Sequence, residues 1–442
     1  MLYLSLDVGT SATKASVLDA DLNELATAQA EYPYLLLPGS KVEIDPDSLL
    51  RGMGAAASGL DERLLAQVEC VCYDAFSPSP VFLDAAGELA YPNIITHMDR
   101  RSREQSAYVS QAIGNDAFLA ITGLYPFIGG SGLMSVLWMR RNAPEVLAKT
   151  ASVTHLAGFL HRILTGLPAT DLVNASMLGV YQTTTQQGWS RPLIEALGLN
   201  PSWFGEIFNP GGGHGTLLPA MAELLGVRAG IAVSVGTNDM AAAQVGAGNI
   251  AAGGVMNTAG SSDMVSILTD VAQTSPDYYL RNSAFPGIWQ IYATTAGGFA
   301  IDWFHSQFAR DLDKDEFYGQ FLPAALEACR TGPMVDFAPY LTGDRQSLLP
   351  RTGAWTGLTL AATREQLFGA MLVSMVKVLA RTINQAARLL RLDSAIKISG
   401  GLATEPLIAL KQRELPGFKF EKVDNCPIRG NVRLAQLVGK VV

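Results

Sequence analysis

The pattern that most restricts the fold is a short hairpin that occurs twice. Leu2 to Leu6 is an apolar run leading into Asp7-Val8-Gly9-Thr10-Ser11-Ala12-Thr13-Lys14. A second β run, Ala15 to Leu18, follows, and Asp19 to Asn23 supplies a turn. Strand, Gly/hydroxyl turn, strand is the signature of a β-hairpin. Far downstream, Val255 to Ala259 leads into Gly260-Ser261-Ser262 and then Asp263-Met264-Val265, so that Gly9-Thr10-Ser11 aligns with Gly260-Ser261-Ser262. Self-similarity of this kind points to two related halves. Their boundary falls around residues 245–252, which divides the chain into domains 1–248 and 249–442. No Pro-rich linker or low-complexity tract separates them, so two packed α/β domains are expected, not beads on a string.

Composition narrows the function. Hydrophobic residues make up 48% of the 442 and charged residues 16%, enough apolar material to fill large cores. Lys and Arg number 32 against 40 Asp and Glu, so 32 − 40 gives a net charge of −8. That excess of acid argues against a nucleic-acid binder, whose affinity comes from neutralising phosphates. Four cysteines are too few for a disulfide framework, and no Cys/His cluster suggests zinc. Cys70 and Cys72 lie in a strand-like run, where they are expected on opposite faces. Asp7 interrupts the apolar start too early for a signal peptide. Ala117 to Met139 is uncharged, but Gly123, Pro126 and Gly129-Gly130-Ser131-Gly132 would break a spanning helix, so a buried loop and helix in a cytoplasmic protein is the expectation.

The remaining elements place the candidate chemistry. Val68 to Tyr73 and Val81 to Leu83 read as strands, and residues 100–165 are largely helical. Ile231 to Gly236 reads as a strand ending in Thr237-Asn238-Asp239, with a helix starting at Met240. Leu367, Met371, Met375, Val378, Leu379, Ile383 and Leu390 have amphipathic helical spacing and feed a strand, Ala395 to Ile398, ending in Ser399-Gly400-Gly401. Three Gly/hydroxyl turns thus follow strands, and such turns can aim backbone N–H groups and hydroxyls at phosphate oxygens. Asp7 is either a turn cap or a carboxylate that holds Mg²⁺ through water. Asp239 is either an N-cap or a general base that takes a proton from a substrate hydroxyl. Gly246-Ala247-Gly248-Asn249-Ile250-Ala251 fits G-x-G-x-x-A but follows a helix-like segment, which speaks against a dinucleotide site. Gly439-Lys440 is followed by Val441, so it is no Walker A loop, and the five histidines lack metal or nucleophile spacing.

The ordered set of motifs resembles the FGGY carbohydrate kinases, the family of xylulokinase, ribulokinase, gluconokinase and glycerol kinase. Asp7 to Ser11 with Lys14 is similar to the family's first phosphate loop. Leu164-Thr165-Gly166, Thr170-Asp171 and Asn174-Ala175-Ser176 resemble its LTG…TD..NAS segment. Gly236 to Gly248 resembles the segment of the catalytic Asp, and Gly260-Ser261-Ser262 the second phosphate loop. Gly297-Gly298 before Trp303, Pro339-Tyr340-Leu341-Thr342-Gly343-Asp344-Arg345 and Ser399-Gly400-Gly401 complete the order. The resemblance implies a duplicated actin-like (RNase H-like) α/β fold with ATP and sugar in an interdomain cleft. It implies Asp239 as the base and Asp7 as the organiser of Mg²⁺. Thr10, Ser11, Lys14, Gly260 and Ser261 would contact the transferring phosphates, with Gly298, Gly401 and Glu405 along the nucleotide. In-line phosphoryl transfer relies on positioning and charge neutralisation, and domain closure would exclude water.

The departures concern the substrate. Phe76-Ser77-Pro78-Ser79 replaces the Met-His turn of xylulokinases and the Arg-Glu pair of glycerol kinases. Asp74 before that turn, and Asp99 within His97-Met98-Asp99-Arg100-Arg101, are the candidates for binding substrate hydroxyls, though Asp99 could equally pair with Arg101. Arg429-Gly430-Asn431-Val432-Arg433 is more polar than the family's usual final helix. The leading expectation is an ATP- and Mg²⁺-dependent kinase for a small sugar or polyol, a ketopentose such as xylulose or ribulose first, with no nucleic-acid or membrane partner and compatible with a homodimer. The alternatives are a sugar- and nucleotide-binding protein of the same fold without turnover, and an NAD-dependent oxidoreductase.

Overall fold

The computed structural model describes residues 1–126, 131–331, 335–341 and 351–438. Gly129-Gly130, Thr342 to Arg345 and Gly439-Lys440 lie outside the described residues. The chain forms two compact units: Met1–Ile250, Ala272–Gln290 and Asn425–Val442 in unit 1, Ala251–Val271 and Ile291–Asp424 in unit 2. The first break falls beside the expected one, but two later segments rejoin unit 1. In the first of them, Asn282 donates to Leu172 O (3.0 Å) while its own N–H donates to Ser176 Oγ (3.2 Å). A single cut in the sequence misses such returns.

Along the chain, the elements that matter for the site in unit 1 are β1 (Leu2–Val8), β2 (Ala12–Leu18), β3 (Glu24–Glu31) and β4 (Val68–Ala75). They continue with α1 (Leu172–Met177), β5 (Gly213–Thr216), β6 (Ala232–Ser234), β7 (Thr237–Asn238) and α2 (Asp239–Gly246). Unit 2 contributes β8 (Val255–Ala259), β9 (Ser262–Thr269), α3 (Gly298–Phe308), α4 (Arg364–Ala386), β10 (Ala395–Ser399), α5 (Glu405–Glu414) and β11 (Lys419–Lys422). The chain returns to unit 1 as α6 (Cys426–Val438). The unit 1 sheet runs β5-β6-β4-β1-β2-β3, with β7 also pairing β4. β1 pairs antiparallel with β2 and parallel with β4. Unit 2 repeats the arrangement, with β8 antiparallel to β9 and parallel to β10. The two hairpins are therefore the same structural motif used twice.

Alternation along β1 and β4 decides what each face carries. Leu4, Leu6, Val8, Val71, Tyr73 and Ala75 point into one core, which the helix Pro46–Ser58 helps to fill. Tyr3, Cys70 and Cys72 face the other way, under Ile428, Val432 and Ala435 of α6. The cysteines thus share a face, with their Sγ atoms 3.8 Å apart, contrary to the sequence expectation. Residues two apart on a strand lie on one side of it, and all four cysteines are free thiols. α6 also crosses α2 at two glycines: a Cβ on Gly430 would lie 1.8 Å from Ala242 O, and one on Gly246 1.8 Å from Cys426 O. Gly246 therefore belongs to a helix–helix contact, which accounts for its glycine without a dinucleotide.

Among the described residues, one helix, α4, is long and apolar enough to cross a membrane, and 67% of its apolar window is buried within the protein. It follows the Leu367-based stripe but stops before Leu390.

Candidate active site

The face covered by α6 carries two of the candidate acids. Tyr3, Ser5 and Asp7 form one stripe on β1, and Cys70, Cys72 and Asp74 form the adjacent one on β4. Asp7 and Asp74 are register partners at the ends of parallel strands, which sets the two carboxyl groups side by side. Asp74 pairs on its other flank with Thr237 of β7, two residues before Asp239. Strand pairing thus assembles Asp7, Asp74 and Asp239 from three distant parts of the sequence.

Asp239 opens α2 but does not cap it. Asn238 is the N-cap, its Oδ1 accepting from Met240 N (3.1 Å) and Ala241 N (3.3 Å). One carboxylate oxygen of Asp239, Oδ1, accepts from Met240 N and from Asn238 Nδ2, both at 2.7 Å. Burial, and then the charge of Asp7, push the Asp239 carboxyl up to about 7 despite these donors. Asp74 is raised well above the ordinary carboxylate range by burial first, then by Asp7 and Asp239. Asp7 is raised by burial, opposed by its contact with Asp74 and by the charge of Lys14.

Asp74, a candidate for binding substrate hydroxyls, lies at the end of its strand, just before the Phe76–Ser79 turn. It is fully buried, and its Oδ2 accepts from Asn431 Nδ2 of α6 at 2.6 Å. Its Oδ1 accepts no hydrogen bond from any donor among the described residues. Asp99 is likewise committed. Its oxygens accept from Arg101 Nε (2.9 Å) and Nη2 (2.6 Å), and from the N–H groups of Val42 (2.8 Å) and Arg101 (2.9 Å). Arg101 also pairs with the buried Glu43, so Asp99 is part of a structural ion cluster. The cavity beside Asp99, walled by Thr96, His97, Ser102, Ser131 and Ser135, measures only about 10 Å³, room for about one water.

Closer to Asp239 is a residue that sequence reading passed over. Ser77 Oγ, in the atypical Phe76–Ser79 turn, accepts from Asn238 Nδ2 (3.0 Å) and donates to Met177 Sδ (3.5 Å). The only signal for it was the departure of this turn from the family pattern. Thr170-Asp171 and Asn174 prove to be scaffold: Asp171 caps α1 and accepts from Thr237 Oγ1 at 2.9 Å.

At the β1–β2 turn, Gly9 N donates to Ala12 O (3.0 Å), and Tyr32 braces the loop through its N–H to Ser11 O (2.9 Å) and its hydroxyl to Gly9 O. Ser11 is exposed and Thr10 partly so, and Lys14 Nζ donates to Asn425 Oδ1.

Unit 2 has its own set of turns. Gly298 N donates to Gly260 O (2.9 Å), and both Gly297 N (3.2 Å) and Phe299 N (3.1 Å) donate to Ser261 O. A Cβ on Gly297 would lie 2.5 Å from Gly260 O, so glycine is required there. Gly400, at φ +102°, packs against Ala259, and Leu402 N donates to Ala259 O (2.9 Å). Gly260, Ser261 and Gly298 are thereby brought together, with Gly401 and Glu405 exposed on the neighbouring turn. Lys411 of α5 is buried, bonded to Asp263 Oδ2 (2.7 Å) and Asn257 Oδ1 (2.6 Å).

The model of the N-terminal domain of the FGGY family of carbohydrate kinases matches residues 2–246. The chain belongs to that family. A xylulose kinase of Escherichia coli is 24% identical over 349 residues, covering 78% of this chain and 70% of its own. Among solved structures, xylulose kinase from Rhodospirillum rubrum superposes with a TM-score of 0.88 at 21% identity, over 99% of this chain and 90% of its own. Gluconate kinase from Lactobacillus acidophilus gives 0.88 at 19% identity, over 100% and 90%. The protein is a carbohydrate kinase with the family's duplicated actin-like α/β fold, and ATP is its phosphoryl donor.

Proposed function

We propose that this FGGY kinase transfers the terminal phosphoryl group of ATP to a hydroxyl of a small sugar, a ketopentose such as xylulose or ribulose first, with Asp239 as general base. The placement of Asp239 carries this reading. One of its oxygens is locked by Asn238 and Met240, and its carboxyl is pushed up to about 7. A base works best when its pKa lies near the working pH, because it is then both ionised and a competent proton acceptor. The ketopentose preference draws its support from the xylulose kinases among the relatives. Ser77, hydrogen-bonded to the residue next to the base, is assigned to the sugar side of the site.

Asp7 is assigned to Mg²⁺. The fit rests on the carboxylate at the partly exposed end of β1, next to Asp74, one of whose buried oxygens accepts from no donor among the described residues. Hard oxygen ligands of this kind suit the ion. When bound, Mg²⁺ neutralises phosphate charge during transfer. Thr10, Ser11 and Lys14 in unit 1, and Gly260, Ser261, Gly298, Gly401 and Glu405 in unit 2, are assigned to the nucleotide. Backbone N–H groups and hydroxyls at such turns can hold phosphates. The reading of a protein without turnover gains no support, since Asp7 and Asp239 are both present and close.

A coupled ADP-release assay with Mg²⁺-ATP over ketopentoses, aldoses, sugar acids and polyols tests the proposal. A ketopentose should give the highest kcat/KM. Asp239→Ala should lower kcat by about 10²–10⁴-fold, the range for losing a positioned general base. A variant rate equal to that of the wild type would remove Asp239 from the role, and a best substrate of another class would remove the pentose preference.

A further inference from the structure

Asp74 stands out among the buried groups. It is fully buried near the end of its strand, and among the described residues the donor it accepts from is Asn431, which reaches Oδ2. Oδ1 accepts from no donor among the described residues, and the Asp74 side chain lies against the Asp7 carboxyl. The nearest cationic side chain on the hairpin, Lys14, gives its ammonium to Asn425. An ionised carboxylate oxygen can only accept, and leaving one buried without a positive partner is costly, which is why burial and the neighbouring acids push Asp74 up.

The orientation of Asp74 is also held from behind. Asn431 Nδ2, besides Asp74, approaches Ser5 Oγ and Leu6 O (both 3.3 Å), and Ser5 Oγ donates to Ile428 O (2.8 Å). This is how an outer residue fixes a metal-binding carboxylate: one oxygen held by a donor, the other turned toward the ion. No group of three or more His, Cys, Asp or Glu among the described residues could close around an ion. Two carboxylates with the remaining positions left to water and phosphate is the mode that Mg²⁺ favours, whereas structural Zn²⁺ needs four protein ligands.

We infer that Asp74 is a second protein ligand of the divalent cation, bridging it with Asp7, and that Asn431 of the last helix positions it. The inference rests on the assignment of Asp7 to Mg²⁺ above. It explains why the final helix carries a buried amide where the sequence departs from the family, and why Asp74 precedes a substrate turn without facing substrate.

The test is Mn²⁺ binding to the full chain, followed by loss of the free-ion electron paramagnetic resonance signal, with and without ADP. Asp74→Asn should weaken Mn²⁺ binding by about 10–100-fold, and Asn431→Ala by a smaller factor in the same direction. Circular dichroism checks that each variant is folded, and Asp74→Ser serves if Asp74→Asn is not. A folded Asp74→Asn variant that binds Mn²⁺ as the wild type does would overturn the inference, as would a wild type that binds no Mn²⁺ with ADP present. Sugar-dependent ADP formation, measured separately, distinguishes the two readings. If it occurs while Asp74→Asn leaves Mn²⁺ affinity unchanged, this inference alone fails. If it is absent while Asp74→Asn weakens Mn²⁺ binding, the inference stands and the sugar-kinase assignment alone fails.

Discussion

Both units bury acids on the same motif, a hairpin flanked by a parallel strand, but they treat them differently. In unit 2, Asp263 is met by Lys411 at 2.7 Å and by Asn257 at 2.6 Å, all of them buried. In unit 1, Asp7 and Asp74 lie against each other, with Asp239 close enough to raise Asp74 further. A buried charge with its partner and hydrogen bonds is a structural device that locks α5 to β8 and β9. Crowded acids that raise one another's pKa are costly to folding and are typical of sites where chemistry uses them. The same scaffold thus gives one half a strut and the other half a cluster of crowded acids, the reaction centre in the proposed reading.

That contrast can be broken most severely at Lys411. Lys411→Met leaves Asp263 buried without its cation and should cost about 3–5 kcal/mol, read from denaturant unfolding. If the loss is below about 1 kcal/mol, Asp263 is not a buried charge in the sense argued. Next is the helix crossing behind the unit 1 acids. Gly430→Ala pushes a methyl onto Ala242 O, 1.8 Å from the ideal Cβ position, and should cost about 1–3 kcal/mol while shifting α6 and its Asn431. Full stability in this variant would show that the crossing adapts freely.

The pH dependence sharpens the unit 1 side. As the proposed base, Asp239 has to be ionised, so kcat/KM should fall about tenfold per pH unit below about 7 and level off above it. Stability moves the other way. The folded carboxyl holds its proton up to about 7, whereas the unfolded one loses it near 3.8. The stability linked to that proton is present below pH 3.8 and lost as pH rises to about 7. Asp239→Asn should therefore melt higher than the wild type at pH 8 and show no such advantage near pH 4. An equal difference at both values would detach Asp239 from this linkage. The smallest effect is expected at Asn238. Asn238→Ala removes the α2 cap, at about 1 kcal/mol, together with one of the two donors that hold Asp239. A drop in kcat larger than the stability loss explains would mark the amide as positioning the base.

Local signals in the sequence carried the hairpins, the strand ends and the catalytic candidates. Asp7 and Asp239 could be singled out because each ends a strand, and a strand, its turn and the next residue are fixed by neighbours in the chain. The Gly260–Ser262 and Ser399–Gly401 turns were legible for the same reason. Strand periodicity also held information that was read wrongly: Cys70 and Cys72, two apart, share a face with Asp74, and that face is the one α6 covers.

What the tertiary structure alone decided are the pairings across long stretches of chain. Asn431 meets Asp74 across 357 positions and Lys411 meets Asp263 across 148. Nothing local to Asp74 tells whether it faces substrate, a cation or a helix amide. Which partner it gains depends on how a strand stacks in its sheet and which helix returns to cover it. Asp99 illustrates the same limit, since its pairing with Arg101 is local but the burial of Glu43 beside them is not. Sequence names the groups that can do chemistry, because side-chain chemistry and strand ends are local. Burial and contact are global, and they determine which of those groups are tied up in structure and which remain for the reaction.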